Sequence, residues 1–253
     1  MDDEEGMNDA NETISPLGGP TPERYQSGSW ARQLLERVAW WAHRVHRSGT
    51  LLDVGCGDGE LLHLFGGNQS YGIDLNPTRL PLALKRGLKV SLADGCQLPY
   101  RDACFETVVS MEVLEHVPMM EKMMKGINRV LMTGGHWIVS VPSVTLKARQ
   151  QMYRQGSPVY CDEHEHFREF SGSEIPWFKH KFMPLSDFEA MFRKHGFEVW
   201  RQEGLYFQLP DAWLPGTSLK KLMETNLAHR ICSFLPVIRR FPYWTILILR
   251  KVD

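Results

Sequence analysis

The stretch Leu51-Leu52-Asp53-Val54-Gly55-Cys56-Gly57-Asp58-Gly59-Glu60 decides the fold. Its start reads as a short buried strand, which runs into three glycines at alternate positions and then into a helix through Leu61, Leu62 and Phe65. Glycines there let the chain turn sharply and let a ligand lie on the backbone without meeting a Cβ. The spacing is GxGxG, whereas a dinucleotide site needs GxGxxG so that a pyrophosphate can rest on the helix N-terminus. Asp53 and Asp58 add negative charge, which suits a cationic ligand better than a pyrophosphate.

Outward from this loop the sequence alternates strands and helices. Residues 70–75, 89–92, 105–111 and 136–141 read as strands. Between them fall a helix opened by Asn76-Pro77 and closed by Gly87, and a helix over 118–131 that starts near Pro118 and stops at Gly134-Gly135. Upstream, Leu34, Leu35, Val38, Trp41, Ala42 and Val45 recur at helical spacing, with Ser29 as a cap and Gly49 as a stop. Downstream, Ser186 caps a helix through Phe188, Met191 and Phe192. Strands follow over 197–201 and 243–250, with a helix over 218–235 in between. Such alternation predicts a parallel, doubly wound α/β sheet with helices on both faces.

Composition sets limits. The chain has 253 residues and a net charge of −1, and that near-neutral total argues against a dedicated nucleic-acid binder. The average hides an uneven layout. Asp2, Asp3, Glu4, Glu5, Asp9 and Glu12 make the start acidic with no Lys or Arg, and residues 1–28 read as a disordered tail. Residues 213–253 are basic, through Lys220, Lys221, Arg230, Arg239, Arg240, Arg250 and Lys251. Five scattered cysteines without a CxxC pair fit reduced thiols in a cytoplasmic protein rather than a zinc ribbon. No signal peptide and no apolar run of membrane-spanning length is evident.

Polar groups end four successive strands: Asp53, Asp74, Asp94-Gly95 and Ser110. In a doubly wound sheet, ligands bind in the crevice beyond these carboxyl ends. With LLDVGCGDG at 51–59, GIDLNP at 72–77, ADGCQLPYRDACFETVVS at 93–110, EVLEHV at 112–117 and NRVLMTGGHWIVSVP at 128–142, the chain resembles class I S-adenosylmethionine-dependent methyltransferases. It is similar to their small-molecule branch, which includes ubiquinone and menaquinone pathway enzymes and sugar methyltransferases. It departs at Glu106, where aspartate is usual, and at Met132-Thr133, where Lys-Pro is usual.

The resemblance implies a Rossmann-like sheet of seven strands, mostly parallel with an antiparallel C-terminal strand. This domain would span 29–253, with acceptor-side insertions at about 143–183 and 204–240. It implies S-adenosyl-L-methionine as cofactor. Gly55, Gly57 and Gly59 would pass under its methionine and ribose, Asp53 would orient the ammonium and Asp74 would bind the ribose diol. Asp94 would bind the adenine amine, with the Gly95 or Cys96 backbone at the ring, and Ser110 would offer its carbonyl to the ammonium. Tyr25 and Trp30 are placed either over the cofactor or at a helix cap.

For the acceptor side, His116 follows the fourth strand, and His164 and His166 share a face if extended. Three readings stand for the segment around His164 and His166: a solvated acidic loop, a metal site, or an acceptor-side base. The solvated loop is the leading reading; within the acceptor-side one the base would be His166 and then His164, and no metal is expected. The expected reaction is methyl transfer to a small-molecule hydroxyl of a sugar, quinone-type phenol or other specialised metabolite. The basic insertion reads first as a lid or helix packed on the core, and otherwise as contact with an anionic or lipid-linked acceptor or a membrane surface, or as a homodimer seam. An NAD-dependent oxidoreductase, a non-enzymatic cofactor-binding protein and a protein or RNA methyltransferase are the rivals.

Overall fold

A computed structural model describes residues 30–47, 49–66, 68–142, 160–163, 179–207 and 242–252. The expected tail, Tyr25, Ser29, His164, His166 and the helix over 218–235 lie outside the described residues, as does most of both insertions.

The described elements run α1 (Trp30–Val45), β1 (Leu51–Val54), α2 (Glu60–Phe65), β2 (Ser70–Asp74), α3 (Leu80–Lys85), β3 (Lys89–Leu92) and β4 (Phe105–Met111). A single 3-10 turn, Leu114–His116, leads to α4 (Met120–Val130) and β5 (Leu131–Pro142). Then come β6 (Tyr160–Glu163), β7 (Lys179–Phe182), α5 (Leu185–Lys194), β8 (Phe197–Phe207) and β9 (Pro242–Lys251).

Seven strands form one sheet in the order β3-β2-β1-β4-β5-β9-β8. The pairs from β3 through β5 are parallel, and β9 alone runs antiparallel to both neighbours. This is the expected doubly wound sheet with an antiparallel C-terminal strand. Alternation sorts the side chains between two cores. Leu51, Val109, Ile138, Ile246 and Ile248 pack with Leu34, Leu35, Val38 and Ala42 of α1 and Leu61 and Leu62 of α2. Leu52, Val108, Trp137 and Leu247 face the other way, against Met123, Met124 and Ile127 of α4 and Phe188 and Phe192 of α5. The buried Trp137 indole meets Phe192 edge-on and donates to Ser110 Oγ at 2.9 Å.

Four expectations need correction. The helix before β5 ends at Val130, and the strand starts at Leu131 and runs through Gly134-Gly135. The glycines serve a register shift between β4 and β5, with Gly134 at φ 73°, instead of a helix stop. Ser186 lies inside α5, which Pro184 opens, and its hydroxyl bonds Asp187. The insertion expected at about 143–183, given no strands above, contributes an antiparallel pair, β6–β7. Its backbone neighbours the Leu114–His116 turn. Finally, β8 continues through 204–207, residues assigned above to the insertion, because β9 offers it a full ladder of partners.

Glu106 has a local explanation. Its carboxylate accepts the backbone N–H of Arg47 at 2.9 Å and of Gly49 at 2.7 Å, tying the α1–β1 link to the start of β4. The longer side chain thus works at the amino edge of the sheet, opposite the crevice.

Candidate cofactor crevice

At the end of β1 the backbone N–H groups of Gly55 and Cys56 both donate to the Ile73 carbonyl, at 2.8 and 2.9 Å. The chain folds back there through Gly55, Gly57 and Gly59, at φ 81°, 52° and 79°. The demand for glycine comes from the protein itself as well as from any ligand. A Cβ on Gly55 would collide with Val113, and one on Gly59 with Leu88. The loop is therefore clamped between the turn after β4 and the start of β3.

The carboxylates divide their work. Asp74, half-buried at the end of β2, accepts from Gly57 N at 2.8 Å and from Asn76 N at 2.7 Å. It locks the glycine loop to the neighbouring strand end. Asp94 accepts from Cys96 N at 2.8 Å. That amide is thereby engaged, which leaves Gly95 as the freer backbone for an adenine ring. Ser110 is buried and its hydroxyl accepts from the Trp137 indole N–H at 2.9 Å.

Asp53 is 3% exposed. Burial, and then the nearby Asp74 charge, push its carboxyl up to about 8. A buried acid held this far from its ordinary range is a site ready for a cation. Asp58 is different. It is buried too, and burial raises its carboxyl, but Arg79 stands 3.5 Å away and opposes the shift. Its charge is answered within the chain, so of the two loop aspartates only Asp53 faces the demand for an external cation. The nucleotide-side residues thus fit S-adenosylmethionine: a buried carboxyl for an ammonium, a preorganised carboxylate for a diol, and a third carboxylate for an amine.

The acceptor side holds residues that the sequence did not single out. Glu112, just after β4, sits at φ 55°, a left-handed conformation that costs a non-glycine residue about 1–2 kcal/mol. The strain is held by partners on two strands. Glu112 accepts from Ser140 Oγ at 2.8 Å and from the Trp244 indole, and its own N–H donates to Ser140 Oγ at 2.9 Å. Glu115 is fully buried, and neither of its carboxyl oxygens has a side-chain hydrogen-bond partner among the described residues. Burial, reinforced by Glu112, raises its carboxyl well above the usual range. His116 Nε2 lies 3.9 Å from Glu115 Oε1. Of the three candidate histidines, His116 is the one among the described residues, at the carboxyl end of β4. No three His, Cys, Asp or Glu side chains gather as a metal site among the described residues. Two open hollows of about 390 and 400 Å³ lie along α4 at Lys122 and Lys125, and the first also reaches Cys96.

Comparisons with known proteins agree with this geometry. Residues 52–139 match the methyltransferase domain family. The chain is 29% identical over 130 residues to a probable tRNA methyltransferase 9B of Bos taurus, covering 49% of this chain and 27% of that protein. It is 27% identical over 184 residues to a ubiquinone/menaquinone biosynthesis C-methyltransferase of Brucella anthropi, covering 64% of this chain and 68% of that one. The chain thus spans little more than a quarter of the length of the tRNA methyltransferase relatives. Among solved structures, the 1,6-didemethyltoxoflavin-N1-methyltransferase of Burkholderia thailandensis, with S-adenosylhomocysteine bound, superposes at a TM-score of 0.57. It shares 14% identity, over 91% of this chain and 85% of that one. The matched segment and the parallel sheet with one reversed strand agree: residues 52–139 match a methyltransferase domain, set in a fold shared with S-adenosylmethionine-dependent methyltransferases.

Proposed function

We propose that this chain transfers a methyl group from S-adenosylmethionine to a hydroxyl of a small-molecule acceptor. The observation that carries the cofactor half is the set of carboxylates on three successive strand ends, with Asp53 buried and raised to about 8 and Asp74 fixed by two backbone amides. When bound, the cofactor supplies a methyl already activated on a sulfonium. Asp53 then holds the ammonium, Asp74 the ribose diol, Asp94 the adenine amine, and the Ser110 carbonyl a further ammonium contact. Alignment of the acceptor with the S–CH3 axis is the main task left to the chain, a contribution on the order of 7–11 kcal/mol when well made. His166, His164 and His116 are the proposed bases for the acceptor proton, a role worth roughly 10²–10⁴-fold. The basic residues between 213 and 253 are what an anionic or lipid-linked acceptor of that kind would meet.

An RNA acceptor is the second reading, favoured by the tRNA methyltransferase relatives. One experiment separates the two. The full chain is incubated with S-adenosylmethionine carrying a labelled methyl, with metabolite and RNA fractions offered in parallel. Label in metabolites supports the first reading. Label confined to RNA overturns it in favour of the second, and label in neither overturns both.

A further inference from the structure

One surface of the molecule gathers chemistry that methyl transfer does not use. It lies where α1 meets β8, the edge strand at the end of the sheet opposite β2 and β3. Trp40 on α1 is 43% exposed and Trp200 on β8 is 37% exposed. Trp200 is the extra residue at the register shift between Val199 and Arg201. A bulge of this kind re-aims a side chain out of the ladder.

The rings are continuous. Trp200 meets Trp41 at 6.4 Å and His136 at 5.5 Å, and Trp41 meets Trp40 at 4.8 Å. Guanidinium groups lie on the exposed members: Arg37 at 4.1 Å and Arg44 at 5.3 Å from the Trp40 ring, and Arg201 at 4.7 Å from the Trp200 ring. Carboxylates answer part of this charge. Glu203 takes both Arg37 and the Trp41 indole, and Glu198 stands 3.7 Å from Arg250. Arg44, Arg47 and Arg201 have no carboxylate partner for their side chains among the described residues. Burial, together with the positive charges of Arg250 and Arg47, holds the His136 imidazole below its ordinary range.

We propose that this arginine–tryptophan strip docks single-stranded nucleic acid, with unpaired bases stacking beside the Trp40 and Trp200 rings and phosphates on Arg44 and Arg201. Aromatic faces interleaved with arginines recognise single strands because every base has a π-face and every nucleotide a phosphate. A second copy of this chain fits poorly, since it sets arginine against arginine. A lipid surface fits less well than a strand, because the two rings are less than half exposed and lie under guanidinium groups instead of standing clear as anchors. The inference is independent of methyl transfer and of which acceptor is methylated.

The test uses the full chain with fluorescein-labelled oligouridylate and oligothymidylate, read by anisotropy across a salt series. S-adenosylhomocysteine binding is measured by calorimetry on every variant as the check on folding. Wild type binds at low salt and loses affinity steeply as salt rises. The Trp40→Ala, Trp200→Ala double variant weakens binding at least about tenfold, at the cost expected for lost stacking. The Arg44→Gln, Arg201→Gln double variant lowers the log–log salt slope by roughly 1.4, at ~0.7 per phosphate contact. Equal binding of both oligonucleotides supports readout of stacking and phosphate, and preference for oligouridylate supports an RNA ligand. No binding by wild type, wild-type binding by both double variants, or preference for phosphatidylserine vesicles over both oligonucleotides overturns the proposal. A chain that binds oligonucleotide but not S-adenosylhomocysteine overturns the methyltransferase reading and leaves this one standing.

Discussion

The two edges of the sheet treat their carboxylates in opposite ways. At the amino edge, Glu106 is satisfied by the chain: two backbone amides donate to it and His46 lies 3.9 Å away. At the carboxyl edge, Asp53 is nearly as buried as a core leucine and is driven up to about 8, and the fully buried Glu115 carboxyl is raised well above its usual range by burial. A carboxylate with a full set of internal donors contributes stability. One left raised and desolvated costs stability and is kept for what binds to it. The difference assigns structure to one edge and chemistry to the other.

Asp74→Ala should break this contrast most severely. It removes the acceptor for Gly57 N and Asn76 N together with the proposed diol contact, so S-adenosylhomocysteine affinity should fall at least ~100-fold by calorimetry, as lost bonds to a charged group predict. Retained affinity would sink the site assignment.

Asp53 gives the next largest effect. Its folded-state pKa of about 8 lies above the roughly 3.9 of an unfolded chain. Between those values the folded protein holds a proton that the unfolded chain has lost. Stability from this group is therefore full at acid pH and falls as pH rises from about 4 to about 8. Asp53→Asn should melt at a higher temperature than wild type above about pH 8, with the gap closing toward pH 5. In wild type, an ammonium ligand needs the ionised form, so affinity should rise with pH up to about 8, with up to about one proton released per ligand near neutrality. Calorimetry in buffers of different ionisation enthalpy reads that proton, and its absence would show that Asp53 does not meet the ammonium.

Glu106→Ala should cost about 1–3 kcal/mol by denaturant unfolding, since it orphans the Arg47 and Gly49 amides. Unchanged S-adenosylhomocysteine affinity in that variant would keep the two edges distinct. A matched loss of affinity would collapse the comparison. The smallest effect belongs to Glu112→Gly. Relief of the left-handed strain offsets the loss of the Ser140 and Trp244 contacts, so the melting temperature should move by only a few degrees.

Much of this was legible in the chain itself. Strands β3 and β4 have the predicted bounds, and β1 and β2 fall within a residue of theirs, because short apolar runs closed by glycine or Asx leave little alternative. Where local and tertiary signals competed, tertiary pairing won. Gly134-Gly135 carries the stop signal of a helix, yet the strand runs through them, in the irregularity between the Leu131–Phe105 and His136–Thr107 pairs. The polar hairpin β6–β7 shows no apolar alternation to detect. Asp58 looked like a ligand-facing charge, and only the fold brings Arg79 to neutralise it. The left-handed turn at Glu112 has no local mark, since glutamate is not a residue that seeks that conformation. A near-neutral total of charge also cannot register the tryptophans and arginines that α1 and β8 bring side by side.

The strand order carries a consequence for how the sheet is completed. β9 lies between β5 and β8, although β8 precedes it in the chain. β8 has no other partner in the sheet, so it can dock only after β9 has been synthesised and laid against β5. Until then Trp137 and Leu131 of the core lack their neighbouring strand, and a nascent chain stopped before Pro242 exposes them to chaperones and proteases. A premature stop in that region should therefore remove the protein from the cell rather than leave a shortened enzyme with an intact crevice.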